Sequence, residues 1–372
     1  MSPATSEADR RQRLSLYPWP VPTSVRLADL TTLRLGGPAP ELVTVTTADE
    51  VAGAMRAFAG QDVLVLGGGS NLVVADAGVP GPVVRIAVSG VRIAEDGDAA
   101  LVTVGAGEDW DDVVAQLVDA GFTGLAPLSG IPGSSGATPV QNVGAYGTEI
   151  SELLESVTLY DRLTGEVRSA PAAELELAYR SSILRGTARA IVLDITLALT
   201  RIPTTVAYAE LARTLGVAPG ATAPEHRIRE AVLALRRSKG MVIEAGVDDP
   251  DTRSAGSFFT NPILDEAQLA AADAAIRAAH GPDTTYPRYP TADGRTKLSA
   301  AWLIERAGFA KGYDGPGGRV GVSTKHTLAL VNRGAGSTAD LLALAREIRD
   351  GVRERFKVRL HPEPVFVGVQ LD

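Results

Sequence analysis

Residues 131–147 read IPGSSGATPVQNVGAYG, and Gly130 stands directly before them. Five glycines (Gly130, Gly133, Gly136, Gly144, Gly147) and two prolines crowd this stretch, with Gln141, Asn142 and Tyr146 among them. A helix or strand interior does not take such a composition cheaply, since each glycine there costs about 0.5–1 kcal/mol relative to alanine. A long surface loop accounts for it, and so does a backbone left bare for close approach. In the second case its amides point at phosphates or at the polar edge of a flat cofactor.

Composition narrows the field. The chain has 372 residues, enough for two or three domains, and 45% of them are hydrophobic, enough for a sizeable core. A net charge of −8 argues against nucleic acid or an anionic membrane as the main partner. There is no cysteine, which excludes disulfides, thiolate chemistry and cysteine-ligated metals. The four histidines, His226, His280, His326 and His361, show no metal-binding spacing, so no metal site is expected. The first 20 residues are polar and are expected to form a frayed tail. No run approaches the ~18 apolar residues of a membrane span, so a soluble, cytoplasmic protein is expected.

Along the chain, a strand at 41–46 leads to Thr47 and Glu50, a capping box, and a helix to about Ala59. A buried strand at 63–66 then ends in Gly67-Gly68-Gly69-Ser70-Asn71. Further strands are predicted at 83–88, 91–94, 101–104, 157–160, 166–169 and 190–199, with a helix over 110–120. The texture changes to Pro, Thr, Gly and Ala near 203–222, where a domain boundary is placed. Beyond it, helices are predicted from a Thr222/Glu225 cap to about 237, over 265–279, over 298–307, and over 338–355 behind Ser337/Asp340. Short strands at 328–331 and 365–369 make the C-terminal part α+β.

Several groupings carry possible chemistry. Gly67–Asn71 has neither the GxGxxG pattern nor a Walker lysine; an ordinary strand-to-loop turn explains it, as does an anion-binding concavity. Taken with residues 131–147, one phosphate-bearing flat cofactor touched by both loops is the expectation, and a flavin dinucleotide fits. In Ala255-Gly256-Ser257-Phe258-Phe259-Thr260-Asn261-Pro262, Ser257 is either a structural hydroxyl or, on a base anchored by the two rings, a proton donor. Glu363 lies stiffly between Pro362 and Pro364. Arg180, in Tyr179-Arg180-Ser181-Ser182, is either a surface ion pair or a stabiliser of an oxyanion or carboxylate. Tyr208, Lys239, Tyr289, Lys297, Lys311 and Arg319 could line a diphosphate site.

In order along the chain, the blocks Thr32–Gly37, Leu66–Leu72, Ile131–Gly133 through Gly144–Gly147, Tyr179–Ser182, Ala255–Pro262, Lys297–Glu305 and Pro362-Glu363 resemble the UDP-N-acetylenolpyruvoylglucosamine reductase family, over roughly residues 22–372. Seven blocks in family order make the likeness specific. The resemblance implies a two-lobed FAD-binding domain of the vanillyl-alcohol oxidase type, about 21–80 and 81–203, then a small α+β substrate domain, 204–372.

It also implies an activity. NADPH reduces FAD, and hydride then passes to C3 of the enolpyruvyl ether of UDP-N-acetylglucosamine, a peptidoglycan precursor, with a proton added at C2. The implied catalytic residues are Ser257, Glu363 and Arg180. The implied FAD contacts are Gly67, Gly68, Gly69, Ser70, Asn71, Gly130, Ile131, Pro132, Gly133, Gly136, Gln141, Asn142, Gly144, Ala145 and Tyr146. Substrate contacts fall on Tyr208, Lys239, Asn261, Tyr289, Lys311 and His326, and the segment 204–211 matches the lid loop of the type I members. The FAD is expected to be non-covalent, because no cysteine occurs and no histidine precedes His226. A monomer without nucleic-acid or membrane partners is expected. The alternative is a flavin oxidase or dehydrogenase of the same superfamily acting on an alcohol or hydroxy acid, which would not need Ser257 and Glu363. Where the family often reads Glu-Pro-Glu-Val-Arg-Phe, this chain has His361-Pro362-Glu363-Pro364-Val365-Phe366.

Overall fold

Thr47 starts the helix Ala48–Ala57 as expected: its hydroxyl accepts from the Glu50 amide, and Val51, Ala54 and Met55 are buried. The Glu50 carboxylate reaches back one residue further than a capping box requires, to the Thr46 amide. The strands on either side of this helix, Pro38–Val45 and Leu64–Leu66, are separated by Val83–Ile86, which runs parallel to both. The structure, a computed structural model, describes residues 23–371; the tail expected at 1–20 lies outside the described residues.

A five-stranded antiparallel sheet follows, in the order Val167–Pro171, Leu154–Asp161, Ala190–Thr200, Ala99–Gly105, Val91–Asp96. Alternate residues Val102, Val104, Val157, Leu159, Ile195, Leu197 and Leu199 are buried with Trp110, Val114 and Leu117 of the helix Trp110–Asp119. Asp109 caps that helix by accepting from the amides of Asp111 and Asp112.

Packing divides the chain into two compact units, and the division is not the linear cut at 203/204. The first unit holds Ala39–Gly69 and Val79–Arg236; the second holds Arg26–Pro38, Ser70–Gly78 and the chain from Arg237 onward. Residues 204–236 stay with the first unit because Glu225 is buried there. Its carboxylate accepts from the amides of Gly124 and Ala126 and from the Thr204 hydroxyl. The expected Thr222/Glu225 cap is therefore absent, and the helix runs Glu225–Ser238. A short helix, Ala209–Leu215, precedes it and has no counterpart in the sequence reading. Within the first unit the expected break at residue 80 also moves, since Val83–Ile86 belongs to the parallel sheet.

The second unit packs the helices Glu266–His280, Ala300–Ala307 and Thr338–Phe356 around Leu303, Ile304, Leu341, Leu344 and Ile348. Ser337 and Asp340 form the expected capping box. Ser299 caps Ala300–Ala307, so Leu298 ends a strand rather than starting the helix. Residues 70–78 join this unit for three reasons. Leu72–Val74 pairs in parallel with Val365–Val367. The Asp76 carboxylate accepts from the Thr338 and Ala339 amides. A Cβ on Gly37 would lie 2.1 Å from the Asp76 carbonyl oxygen, so only glycine allows residues 36–38 to lie this close.

Glu225→Ala should cost about 1–3 kcal/mol per amide left buried and unpaired. Thermal unfolding checks this; a melting temperature equal to wild type would mean residues 204–236 are held by other contacts.

Candidate active site

In the first unit the two glycine-rich stretches meet. A Cβ on Gly68 would lie 2.6 Å from Gly133 Cα, and one on Gly67 would lie 2.5 Å from Ser134 Oγ. The amides of Gly67, Gly68, Gly69, Ile131, Gly133 and Ser134 donate no hydrogen bond to any described residue. Bare, converging amides of this kind fit the phosphates or the polar edge of a flavin dinucleotide. Ser135 Oγ is buried in the same loop and has no hydrogen-bond partner among the described residues. Pro132 lies between these free amides, where a missing N–H removes no bond. Gly136 does a different job: a Cβ there would lie 2.4 Å from Ala106 Cβ.

The loop is held at its start by charges from far along the chain. The Asp111 carboxylate accepts from the Gly130 amide at 2.6 Å and pairs with Arg229. Arg236, 5% exposed, donates from Nε to the Gly130 carbonyl at 3.0 Å. Burial alone would raise the Asp111 carboxyl, but the Arg229 bond, the Gly130 amide and the two guanidinium charges outweigh it and hold the pKa below the ordinary value.

The far half of the loop is strained and braced. Gly144–Ala145 pairs with Thr148–Glu149 across Tyr146 (φ 50°) and Gly147 (φ 90°), a two-residue turn with both central φ positive. Asn142 (φ 44°) is buried, and its side chain serves the loop itself. Nδ2 donates to Glu149 and to the Ala178 carbonyl, and Oδ1 accepts from the Ser151 amide. Gln141 is buried beside it. Arg180 (φ 53°) donates from Nη2 to the Gly144 carbonyl at 2.6 Å and from Nη1 to the Asn142 carbonyl at 3.3 Å. Ser182 Oγ donates to the Val140 carbonyl at 2.7 Å. The Tyr179–Ser182 block is thus a clamp on residues 140–144. Burial pushes the Tyr146 phenol up to about 12. The Tyr208 ring meets Tyr146 edge-on at 5.7 Å, so Tyr208 packs on the glycine-rich loop within the first unit rather than in the C-terminal domain expected from the sequence.

In the second unit Ser257 and Glu363 are joined through Phe258. The Phe258 amide donates to the Leu328 carbonyl at 2.7 Å, and its carbonyl accepts from the Glu363 amide at 2.9 Å. Ser257, half-buried, has no hydrogen-bond partner for its hydroxyl among the described residues. Pro364 leaves the Glu363 region intact: the Val365 amide donates to the Asn71 carbonyl at 2.9 Å, so residues 363 and 365 carry the bonds and residue 364 needs no N–H. Ser70 and Asn71 belong to this unit, where their carbonyls accept from the Thr32 hydroxyl and the Val365 amide. Asn261 Oδ1 accepts from the Ala300 amide, which leaves its Nδ2 as a donor. Tyr289, 51% exposed, pairs in register with Lys297. The turn after exposed Lys311 is tied to the one before His326, because the Gly312 amide donates to the Ser323 carbonyl. Lys239 follows the Glu225–Ser238 helix directly.

Sequence reasoning missed Asp111, Arg229, Arg236, Asn332 and Arg333. Asn332 donates to the carbonyls of Leu33 and Arg34, and Arg333 to the Gly312 carbonyl. Each acts on a partner far away in sequence, Arg229 on the Asp111 carboxylate and the other four on backbone groups, so no local motif marks it.

Residues 39–171 match the family described as FAD binding domain, and residues 248–367 match that described as UDP-N-acetylenolpyruvoylglucosamine reductase, C-terminal domain. The UDP-N-acetylenolpyruvoylglucosamine reductase of Saccharopolyspora erythraea is 58% identical over 350 residues, covering 93% of this chain and 95% of that protein. That of Thermobifida fusca is 53% identical over 353 residues, covering 94% and 98%. The solved structure of UDP-N-acetylenolpyruvylglucosamine reductase from Thermus caldophilus has a TM-score of 0.63 and 27% identity, over 94% of this chain and 99% of that one.

Asp111→Asn should loosen the Gly130 turn, at the roughly 1.5–3 kcal/mol of a hydrogen bond to a charged group. Because the folded pKa is depressed, this stabilisation is complete above the ordinary carboxyl value of 3.8 and is lost as pH falls below it. Released-flavin fluorescence across pH checks the prediction: the variant should shed flavin at neutral pH, where wild type holds it. Equal retention would mean the turn does not depend on this pair.

Proposed function

The chain belongs to the UDP-N-acetylenolpyruvoylglucosamine reductase family, and from that membership we propose how its own residues carry out the reaction. The enzyme is an FAD-dependent oxidoreductase that reduces the enolpyruvyl ether of UDP-N-acetylglucosamine to UDP-N-acetylmuramate, with NADPH as electron donor. Bound FAD supplies the hydride that reaches C3 of the enolpyruvyl group. The chain's residues supply the proton and hold the charge.

The observation that carries this reading is the Ser257 hydroxyl, uncommitted among the described residues, on a main chain fixed through Phe258 to the Glu363 amide. In the proposed step Ser257 Oγ gives its proton to C2 as hydride arrives at C3, and Glu363 restores the proton to Ser257. Solvent returns a proton to Glu363, so one hydride, taken originally from NADPH with release of NADP+, and one solvent proton add across the double bond and the step balances. Arg180 supplies positive charge for the carboxylate next to C2; removing one such preorganised donor typically costs about 10²–10³ in turnover. The bare amides of residues 67–69 and 131–134 would hold the FAD. Lys239, Lys311 and the Asn261 amide would hold the diphosphate, with Tyr208, Tyr289 and His326 on the nucleotide and sugar. No link to the flavin is invoked, and we read the protein as a cytoplasmic monomer. No helix among the described residues is long and apolar enough to cross a membrane.

Glu363→Gln tests the assignment. It should lower NADPH-dependent reduction of the substrate by roughly the 10²–10⁴ of a lost acid–base group. Flavin content and melting temperature should stay at wild type, since glutamine keeps the shape of the side chain and the Glu363 amide still donates to the Phe258 carbonyl. Full activity would remove Glu363 from the mechanism and make His361 the next candidate.

A further inference from the structure

Residues 240–254 have no part in the roles given above, although Lys239 and Ser257 bracket them. The segment is fastened within the second unit by two carboxylates. Asp251, 7% exposed, accepts from the Thr324 amide at 2.9 Å with Oδ1 and from the Thr324 hydroxyl at 2.5 Å with Oδ2. Asp249 pairs with Lys325 Nζ. Gly240 closes the other end: at φ 64°, a Cβ there would lie 2.8 Å from Asp251 Cβ. The Arg253 carbonyl accepts from the Asn332 amide at 3.0 Å.

Both acids therefore grip one turn, residues 323–328. Ser323 Oγ, inside the turn, accepts from the amides of Lys325 and His326. The turn carries His326 and ends on the Leu328 carbonyl, which takes the Phe258 amide at 2.7 Å. Thr324 thus stands four residues from the bond that fixes the peptide next to Ser257. Packed, hydrogen-bonded elements transmit shifts rather than absorbing them.

We propose that Asp251, supported by Asp249, is a positioning residue for the reduction. It sets the turn 323–328 so that Phe258, and through it the Ser257 hydroxyl, lies in line for proton transfer. The inference rests on the reading of Ser257 as the proton donor. Asp251 acts through Thr324 and not on the reacting atoms. No charge on Thr324 is involved, so the clasp works through two hydrogen bonds to one residue.

The test uses NADPH-reduced holoenzyme mixed rapidly and without oxygen with the enolpyruvyl sugar nucleotide, in H2O and in D2O. D251N and T324V should be reduced by NADPH at the wild-type rate. Their reoxidation by the sugar nucleotide should slow by ~10–100-fold, the range expected from a sub-ångström misplacement. The solvent deuterium isotope effect on that step should rise, because a misaligned donor makes protonation limiting. T324S, which keeps the hydroxyl, should restore both. A loss of folded protein alone would lower amplitudes without changing the isotope effect. Thr324 is exposed, so T324V keeps the test decisive should D251N fold poorly. Wild-type reoxidation rates in T324V and D251N, or slow rates with an unchanged isotope effect, would overturn the inference. If the wild-type holoenzyme is not reoxidised by the sugar nucleotide at all, the underlying functional reading falls instead.

Discussion

The second unit turns on a single residue whose side chain does no chemistry. Phe258 is held at both peptide groups, by the Leu328 carbonyl and the Glu363 amide. Its ring, 1% exposed, packs edge-on against Phe259 at 5.1 Å and Phe366 at 6.3 Å. Each hydrogen bond contributes only about 0.5–1.5 kcal/mol net, whereas truncating a buried phenylalanine costs about 3–5 kcal/mol. The ring therefore supplies the anchorage and the peptide groups supply the direction. Gly256, at φ 70°, turns the chain into this anchor, and Ser257 stands between the turn and the ring. A hydroxyl on a long flexible loop would sample many positions; here its backbone has one.

The first unit solves a different problem, keeping a polar loop rigid without giving it a core of its own. Asn142, Tyr146 and Arg180 all take positive φ, a conformation that costs roughly 1–2 kcal/mol for a non-glycine residue. The bonds from Asn142 to Glu149 and Ala178, and from Arg180 to Gly144, offset that cost locally. At the other end, Asp111 and Arg236 take the two polar groups of Gly130. Between these braces the amides that donate to no described residue are left in fixed directions, as binding a flat, charged cofactor requires.

Most of the regular elements were legible from local patterns. Thr47, Asp109, Asp265 and Ser337 each accept at a helix start, and the helices begin within a residue or two of where these side chains place them. The glycine-rich loops and the Ser257 and Glu363 blocks were legible because unusual composition marks them. What could not be read was whatever depends on a partner far away in sequence. Glu225 looks like half of a helix cap, yet it serves amides about a hundred residues earlier. Asp76 looks like a loop acid, yet it caps the helix at Thr338. Such contacts interleave the two units along the chain, and no change of composition at one point can mark a boundary that is crossed several times. Pro364 is the reverse case: this departure from the family's usual residues falls where the alternation of hydrogen bonds leaves an N–H unneeded.

Proposed as a proton donor, Ser257 is held in place by its neighbours and is neither a buried nor a decorative hydroxyl. The most direct measurement separates the two half-reactions in Ser257→Ala. A positioned donor acts only in the half-reaction in which hydride reaches the substrate, so flavin reduction by NADPH should proceed as in wild type. Reoxidation by the enolpyruvyl sugar nucleotide should slow by roughly the 10²–10⁴ of a lost general acid. Reoxidation at the wild-type rate would contradict the account.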